Sequence, residues 1–161
     1  MSQLAAGAAA RAAVPVQRGP GNMGRDWIPV LAEVPLFANL SRRHLKRVAS
    51  LGRTRRFASG TPIVRRGEAG SAFFVLLDGG ARVVAPTGRP RKLGRGDFFG
   101  EMALLDESPR SADVVADGEV LALTISRSAF GKLLRSEPAL THELLRTLAA
   151  RLRAVERSKA G

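Results

Sequence analysis

Cysteine is absent from the 161 residues of this chain, and histidine occurs only twice, as His44 and His142. A chain without cysteine forms no disulfide, has no catalytic thiolate and offers zinc no thiolate ligand. The two histidines are far apart in the sequence and provide little material for a metal site or a Ser-His-Asp triad. We therefore predict no cysteine-dependent catalysis and no metal site. The lack of cysteine also suits a reducing cytoplasm, where we expect the protein to act.

Long hydrophobic runs and aromatic residues are also scarce. The longest apolar runs, such as residues 73–77, are far shorter than the ~20 residues that cross a bilayer. The N-terminal stretch does not resemble a secretory signal, since its apolar residues are mostly small alanines. Aromatic residues make up 5% of the chain and hardly interleave with the basic ones, which argues against a base-stacking surface. We expect no membrane association.

Acidic residues are outnumbered by basic ones, and the chain carries a formal net charge of +12. This excess is compatible with an anionic partner, either a nucleic acid or a phosphorylated small molecule. It is also compatible with a compositional bias, since the chain is rich in Ala, Arg and Gly together. The basic residues are dispersed along the chain, so the charge alone leaves both interpretations open.

The amino-acid composition of the chain changes at Asp26. Residues 1–25 contain mainly Ala, Gly and Pro and predict a disordered tail, with a short amphipathic helix at 4–14 as an alternative. The folded domain is predicted to span residues 26–161. Bulky residues and two prolines over 27–37 indicate a short helix followed by a turn.

A longer helix is predicted next, with Ser41 as its N-cap and Gly52 at its end. Leu45, Val48 and Ala49 share one face of this helix. His44 lies on the charged face, where we expect a solvated side chain.

Residues 53–125 contain short apolar runs separated by turn residues, a pattern typical of an antiparallel sandwich or roll. The runs lie at 63–64, 73–77, 83–85, 98–99, 114–115 and 121–125. The last run alternates, so its large odd-numbered residues are predicted to share a face. We interpret Asp78-Gly79-Gly80 and Asp117-Gly118 as turns between strands.

After residue 125 the apolar period becomes helical. Ser126 or Ser128 can cap a first helix, and Pro138 can open a longer one. The longer helix carries an apolar stripe, which either packs against the strands or pairs with the same helix of a second copy. The stripe consists of Leu140, Leu144, Leu148, Leu152 and Val155. The predicted fold class is α+β, an antiparallel β-roll (jelly roll) flanked by an N-terminal helix and two C-terminal helices.

Several motifs, in this order, resemble the cyclic nucleotide-binding domain, the module of bacterial catabolite activator proteins, cyclic-nucleotide-dependent kinases and cyclic-nucleotide-gated channels. They are VPLFANLS, GTPIVRRGEAGSAFFVLLDGGARVV, GRGDFFGEMALL, PRSADVVA and LALTISRSAFGKLLRSEP. The resemblance covers about residues 30–157.

The resemblance implies that the segment 100–112 is a phosphate-binding cassette, a short helix and loop that wraps a sugar phosphate. Glu101 would accept a hydrogen bond from the ribose 2′-hydroxyl, Arg110 would pair with the cyclic phosphate, and Gly100 would allow a close backbone approach. Backbone amides, the Ser111 hydroxyl and apolar groups would add contacts. The residues implied for these are Met102, Ala103, Ser111, Ala112, Val83 and Phe99. We further expect Met102 and Leu104 to anchor the loop, and Phe73 and Phe74 to belong to the core.

The chemistry of the residues supports this site independently. A guanidinium fork fits the two exocyclic oxygens of a cyclic phosphate, and a carboxylate can accept a hydrogen bond from a hydroxyl. The nine-residue spacing of Glu101 and Arg110 allows them to lie on opposite sides of a sugar. The alternative is a salt bridge between these two residues, which an unliganded pocket can also hold.

The resemblance implies a sensor for cAMP or cGMP that is not an enzyme and has no cofactor, and we favour cAMP because bacterial relatives more often bind it. In several relatives the last helix lies over the purine, and the matching positions here are Arg151, Val155 and Glu156. Few residues follow Val155, so we expect no helix-turn-helix and no DNA binding. The output would pass through an unknown protein partner or a homodimer formed by the last helix. Closure would use hinges at Gly94–Gly100 and Ser136–Pro138.

Two other hypotheses stay open. The roll can be a scaffold that has lost its nucleotide or binds another ligand, or the basic surface can bind nucleic acid. A metal-dependent enzyme of the cupin type would need clustered His and carboxylate ligands, which this chain lacks.

Overall fold

The computed structural model describes residues 27–160. The tail predicted at residues 1–25, with its alternative helix at 4–14, lies outside the described residues. The helices are α1 (Ile28–Ala32), α2 (Arg42–Leu51), α3 (Glu101–Leu105), α4 (Arg127–Ser136) and α5 (Pro138–Ala160), with a 3-10 turn at Pro35–Phe37. The strands are β1 (Gly52–Phe57), β2 (Pro62–Val64), β3 (Ala72–Val84), β4 (Arg91–Leu93), β5 (Phe98–Phe99) and β6 (Asp113–Ser126).

The described strands form one antiparallel sheet built around two long strands. β3 and β6 pair from Ala72 opposite Ser126 to Val84 opposite Asp113. β1 and β2 add to β6, while β4 and β5 add to β3. The helices flank this sheet, which confirms the predicted α+β class with an antiparallel β-roll.

Alternation along the long strands divides the core between two faces of the sheet. One face packs against the helices, and its strand residues include Phe73, Val75, Leu77, Leu121, Leu123 and Ile125. The other face forms the interior of the roll, with Phe57, Phe74, Leu76, Phe99, Val120 and Ala122. Phe73 stacks on Phe130 of α4 with 4.7 Å between ring centroids, and Phe74 stacks on Phe99 at 4.9 Å. The predicted face of residues 121–125 and the core positions of Phe73 and Phe74 are confirmed.

Two turns predicted from Asp-Gly sequences are wrong. Asp78-Gly79-Gly80 lies within β3 and Asp117-Gly118 lies within β6, where the pairing shifts register instead of ending. Gly79 has a φ of +81°, and a Cβ there would collide with the Glu119 carbonyl oxygen. Glycine is therefore required at this bulge for the same reasons that it is favoured in a turn, and the local sequence does not distinguish the two. β1 was also missed, because its outward residues are arginines and no apolar run marks it.

The predicted helix ends are largely confirmed. The Ser41 side chain accepts a hydrogen bond from the His44 amide at the start of α2, and α2 ends at Gly52. Ser126, not Ser128, caps α4 by accepting from the Ala129 amide, and Pro138 is the first residue of α5. Leu45 and Val48 are buried on the inner face of α2.

His44 is exposed on the charged face of α2, as predicted, and it also contacts a carboxylate. Its Nδ1 lies 3.1 Å from a carboxylate oxygen of Glu137, the buried residue between α4 and α5. A buried carboxylate needs a polar partner, and α2 supplies it. The sequence offered no sign of this pair, since the two residues are far apart along the chain.

The leucine stripe of α5 is buried in its N-terminal part and exposed in its C-terminal part. Leu140 and Leu144 are buried, and Leu148 packs at the edge of the helix-side core. Leu152 and Val155 are more than half exposed. The N-terminal half of the stripe therefore packs against the domain as one interpretation predicted, while the C-terminal half has no such cover within residues 27–160.

Candidate functional site

A cleft of about 310 Å³ lies between the open end of the roll, α3 with its following loop, and α5. All nine residues predicted for the site line this cleft: Val83, Phe99, Gly100, Glu101, Met102, Ala103, Arg110, Ser111 and Ala112. Of the three positions expected to face a base, Arg151 and Val155 also line the cleft, whereas Glu156 is exposed and lies outside the lining.

Gly100 provides the backbone turn between β5 and α3 at the start of the cassette. It is the N-cap of α3 and has a φ of +93°, a conformation that favours glycine. A Cβ at this position would lie 2.8 Å from Nη1 of Arg110 and 3.0 Å from the Ala72 carbonyl oxygen. With no side chain at this cap, the arginine approaches the backbone closely and the first amides of α3 have no side-chain acceptor.

The predicted anchors of the loop need one correction. Met102 is 57% exposed and anchors nothing, because it lies on the outer side of the one-turn helix α3. Leu104 packs against the helix-side core, as predicted, and Ala103 is buried on the inner side. The short helix therefore packs against the domain through Ala103 and Leu104, and Met102 lies at the rim of the cleft.

Arg110 is buried, and its guanidinium holds two backbone carbonyls. Nη1 donates to the Gly100 oxygen at 2.9 Å, and Nη2 donates to the Ala72 oxygen at 2.7 Å. No carboxylate of residues 27–160 lies within 4.0 Å of it, so the alternative salt bridge between Glu101 and Arg110 does not form. Among the described residues this guanidinium therefore has no carboxylate at salt-bridge distance.

Burial lowers the pKa of Arg110 from its ordinary value, the carboxylates of Glu101 and Glu68 oppose this shift, and the positive charge of Arg127 adds to it. An arginine nonetheless stays protonated at neutral pH. A buried cation without an acidic partner is energetically costly, and an anion that enters the cleft would relieve that cost.

Glu101 is buried and pairs with α5 instead. Its Oε1 accepts a hydrogen bond from Nη1 of Arg151 at 2.6 Å. The guanidinium of Arg151 also lies 4.7 Å from the ring centroid of Phe98, within the range of a cation–π contact. The hydrogen bonds within residues 27–160 engage only Oε1, which leaves Oε2 open to a donor on a ligand.

Sequence reasoning missed several lining residues. Arg91 lies directly opposite Val83 in the β3–β4 pair and adds a second cation to the cleft wall. Asp106 and Ser108 lie at the rim, and hydrogen bonds from Ser108 lower the pKa of the Asp106 carboxyl. Val64 and Val114 add apolar wall. The register of β4 could have revealed Arg91, but β4 itself was not predicted.

Residues 27–160 contain no group of three or more His, Cys, Asp or Glu side chains able to hold a metal ion. Within the same range, no helix combines the length and the apolar character that crossing a membrane requires.

The fold and the cleft define a small-molecule binding domain with one buried cation and one partly free carboxylate. The family model of the cyclic nucleotide-binding domain matches residues 54–137, and the chain belongs to this family. The crystal structure of Thermus thermophilus catabolite activator protein superposes with a TM-score of 0.71 and 34% identity, covering 78% of this chain and 62% of that one.

Two curated relatives are kinase components. The chain is 39% identical over 112 residues to cGMP-dependent protein kinase, isozyme 1, of Drosophila melanogaster, covering 65% of this chain and 15% of the relative. It is 35% identical over 104 residues to the cAMP-dependent protein kinase regulatory subunit of Hypocrea atroviridis, covering 65% of this chain and 22% of the relative. The chain thus spans less than a quarter of either relative.

Proposed function

We propose that the cleft binds a 3′,5′-cyclic nucleotide and that the protein is a sensor module without catalysis. The observation that carries this proposal is the buried guanidinium of Arg110, which has no acidic partner among the described residues. A cyclic phosphate carries one negative charge and two exocyclic oxygens, and two of the five donors of Arg110 already hold backbone carbonyls. The remaining donors suit the phosphate oxygens.

The other polar groups of the cleft fit a sugar phosphate. The first amides of α3, at Met102 and Ala103, and the Ser111 hydroxyl can donate to phosphate oxygens. The free Oε2 of Glu101 can accept from the ribose 2′-hydroxyl while Oε1 keeps Arg151. The carboxylate and the phosphate then occupy different parts of the cleft, which limits their repulsion.

The mechanism we propose is a population shift. Arg151 joins α5 to Glu101 of the cassette, so the position of α5 depends on the position of the cassette. A nucleotide that binds the closed arrangement more tightly moves the equilibrium toward it by no more than that difference in affinity. The hinges predicted at Gly94–Gly100 and Ser136–Pro138 belong to this proposal.

Within this proposal cAMP is the preferred nucleotide because of the resemblance to bacterial relatives, since the groups that line the cleft do not distinguish the two purines. Val83 and Val155 provide apolar surface for a purine, while Arg151 provides donors for its ring nitrogens. Both purines carry such acceptors, and guanine adds O6. A direct comparison of the two nucleotides therefore measures the preference.

The experiment is calorimetric titration of the whole chain with cAMP and, separately, with cGMP. We expect micromolar affinity, about −8 kcal/mol, with cAMP the tighter ligand. Absence of heat with both nucleotides would contradict the proposal and favour a scaffold or another ligand. Binding to DNA that weakens steeply with salt, without any nucleotide, would favour the nucleic-acid hypothesis instead.

The output is proposed to pass through α5, by self-association or through a protein partner. Leu145, Leu152 and Val155 expose much of their side chains and recur at helical spacing. Light scattering is expected to show a mass of about twice the 17.1 kDa of one chain. Leu152→Glu should shift it to the monomer, whereas Ala154→Glu, on the opposite side of α5, should not. A monomer at all concentrations would exclude self-association and leave a protein partner as the proposed route for the output.

A further inference from the structure

Acidic residues are absent from one long segment of the chain, although basic residues occur throughout it. Nine of the 26 Lys and Arg residues lie within residues 34–67, and none of the 14 Asp and Glu residues does. This segment therefore accounts for +9 of the formal net charge of +12. A compositional preference for arginine adds cations, but it does not remove carboxylates from one part of the chain, so the separation calls for another explanation.

Helix α2 places four of these cations on its outer side. Its inner side carries Leu45 and Val48, which are buried in the helix-side core, and the helix contains no acidic residue. Residues three or four positions apart lie on the same side of a helix, and those opposite Leu45 and Val48 are basic and exposed. We call this surface the α2 basic face, and it consists of Arg42, Arg43, Lys46 and Arg47.

Three cations of the α2 basic face have no acidic partner among the described residues. Arg43, Lys46 and Arg47 form no salt bridge with any carboxylate of residues 27–160. The carboxylate of Glu137 approaches α2 at His44 and is itself buried. Like charges three or four residues apart repel each other along a helix, and an anion bound across the face would relieve this repulsion.

The surroundings of the α2 basic face favour a phosphate backbone over other anionic partners. Among residues 27–160, the exposed large apolar side chains belong to α3 and α5, so this face lacks the apolar centre typical of protein interfaces. The apolar side of α2 is buried in the domain and has no group to insert into a bilayer. Phe37 and Phe57, the aromatic residues of segment 34–67, are also buried, so no ring is available to stack on the bases of a single strand. Eight of the nine cations of the segment are arginines, whose forked donors suit phosphate oxygens.

We propose that the α2 basic face binds the phosphate backbone of duplex nucleic acid without reading its sequence. None of its residues lines the cleft, so this site is separate from the proposed nucleotide site and does not depend on it. The expected lack of a helix-turn-helix concerns the reading of base edges in the major groove. Contacts to phosphates need only exposed cations in a suitable arrangement, and they contribute affinity without sequence preference.

The experiment measures fluorescence anisotropy of a labelled DNA duplex of mixed sequence, titrated with the whole chain at several salt concentrations. We expect a Kd of about 1–100 μM near physiological salt, the range of non-specific binding. Four phosphate contacts predict that the logarithm of the association constant falls against the logarithm of salt concentration with a slope of about −3 to −4. A threefold rise in salt should therefore weaken binding by about 30- to 80-fold.

Two triple variants with the same change in net charge locate the site. The first replaces Arg43, Lys46 and Arg47 by Gln, and we expect its salt slope to fall to about −1 and its affinity at low salt to drop at least about tenfold. The control replaces three exposed arginines of α5 by Gln, in a helix whose basic residues alternate with Glu143 and Glu156. These are Arg146, Arg153 and Arg157. The control should keep the slope and most of the affinity, and thermal unfolding should show that both variants are folded.

Several outcomes would overturn this proposal. Equal losses in the two triple variants would assign binding to net charge rather than to the α2 basic face, and absence of duplex binding by the wild type at low salt would exclude it. Tighter binding to the single strand of the same length, or to phosphatidylserine-containing vesicles, would assign the face to another partner. If the α2 triple variant does not fold, Lys46→Gln and Arg47→Gln are measured singly. Each should reduce the magnitude of the slope by about 1, and an unchanged slope would contradict the proposal equally.

Calorimetry with cAMP separates this proposal from the proposed function. Heat from cAMP together with duplex binding would mean that the chain has two separate sites. Duplex binding without heat from cAMP or cGMP would contradict the proposed function alone, and heat from cAMP without duplex binding would contradict the α2 basic face alone.

Discussion

Arg110→Ala is expected to lower the affinity for cAMP by about 2–5 kcal/mol, or ~30- to ~5,000-fold. The variant loses the cation that pairs with the phosphate and leaves the charged phosphate without its partner in a partly desolvated cleft. The measurement is calorimetric titration of wild type and variant under the same salt conditions, because part of any charge effect is screened.

Two controls define what this loss means. Arg91→Ala removes the same charge from the same cleft, and we expect a much smaller loss if phosphate pairing rather than the general positive potential decides affinity. Thermal unfolding is needed as well, because Arg110 also holds the carbonyls of Gly100 and Ala72. Equal losses in a folded Arg110→Ala and in Arg91→Ala would refute the assigned role of Arg110.

Glu101→Gln is expected to cost about 1.5–3 kcal/mol of cAMP affinity, the range for a hydrogen bond to a charged group. The amide is a weaker acceptor for the ribose 2′-hydroxyl than the carboxylate, and it weakens the contact with Arg151. The sharper measurement compares cAMP with its 2′-deoxy analogue on both proteins. The wild type should lose affinity for the analogue, and the variant should lose far less.

Arg151→Gln is the matched control, because it breaks the same ion pair but keeps the carboxylate of Glu101. It should therefore retain most of the penalty for the 2′-deoxy analogue. A penalty of the same size in wild type and Glu101→Gln would show that this carboxylate does not contact the ribose.

Much of the fold was predictable, because helix caps and strand alternation are local properties. Ser41 and Pro138 mark helix starts through their own backbone geometry, and the alternation at residues 121–125 places one face toward the helices. The glycines at 79 and 118 misled the prediction, because a positive φ serves a bulge within a strand as well as a turn. Strand β1 was not predicted, because its outward residues are arginines and no apolar run marks it.

The cleft residues were likewise predictable where they lie within one short segment. Gly100, Glu101 and Arg110 are close in sequence, and the motif that contains them is recognisable from the sequence alone. Arg91 could not be placed in this way, because its position depends on the register between β3 and β4.

The sequence by itself determined the family, the cassette and the types of group that face a ligand, since these depend on residues near one another along the chain. Only the tertiary structure decided which partners those groups hold. It pairs Glu101 with Arg151 rather than Arg110, and joins His44 to Glu137. These contacts join segments far apart in sequence, and their geometry follows from the register of the sheet and the packing of α2 and α5, which no local pattern encodes.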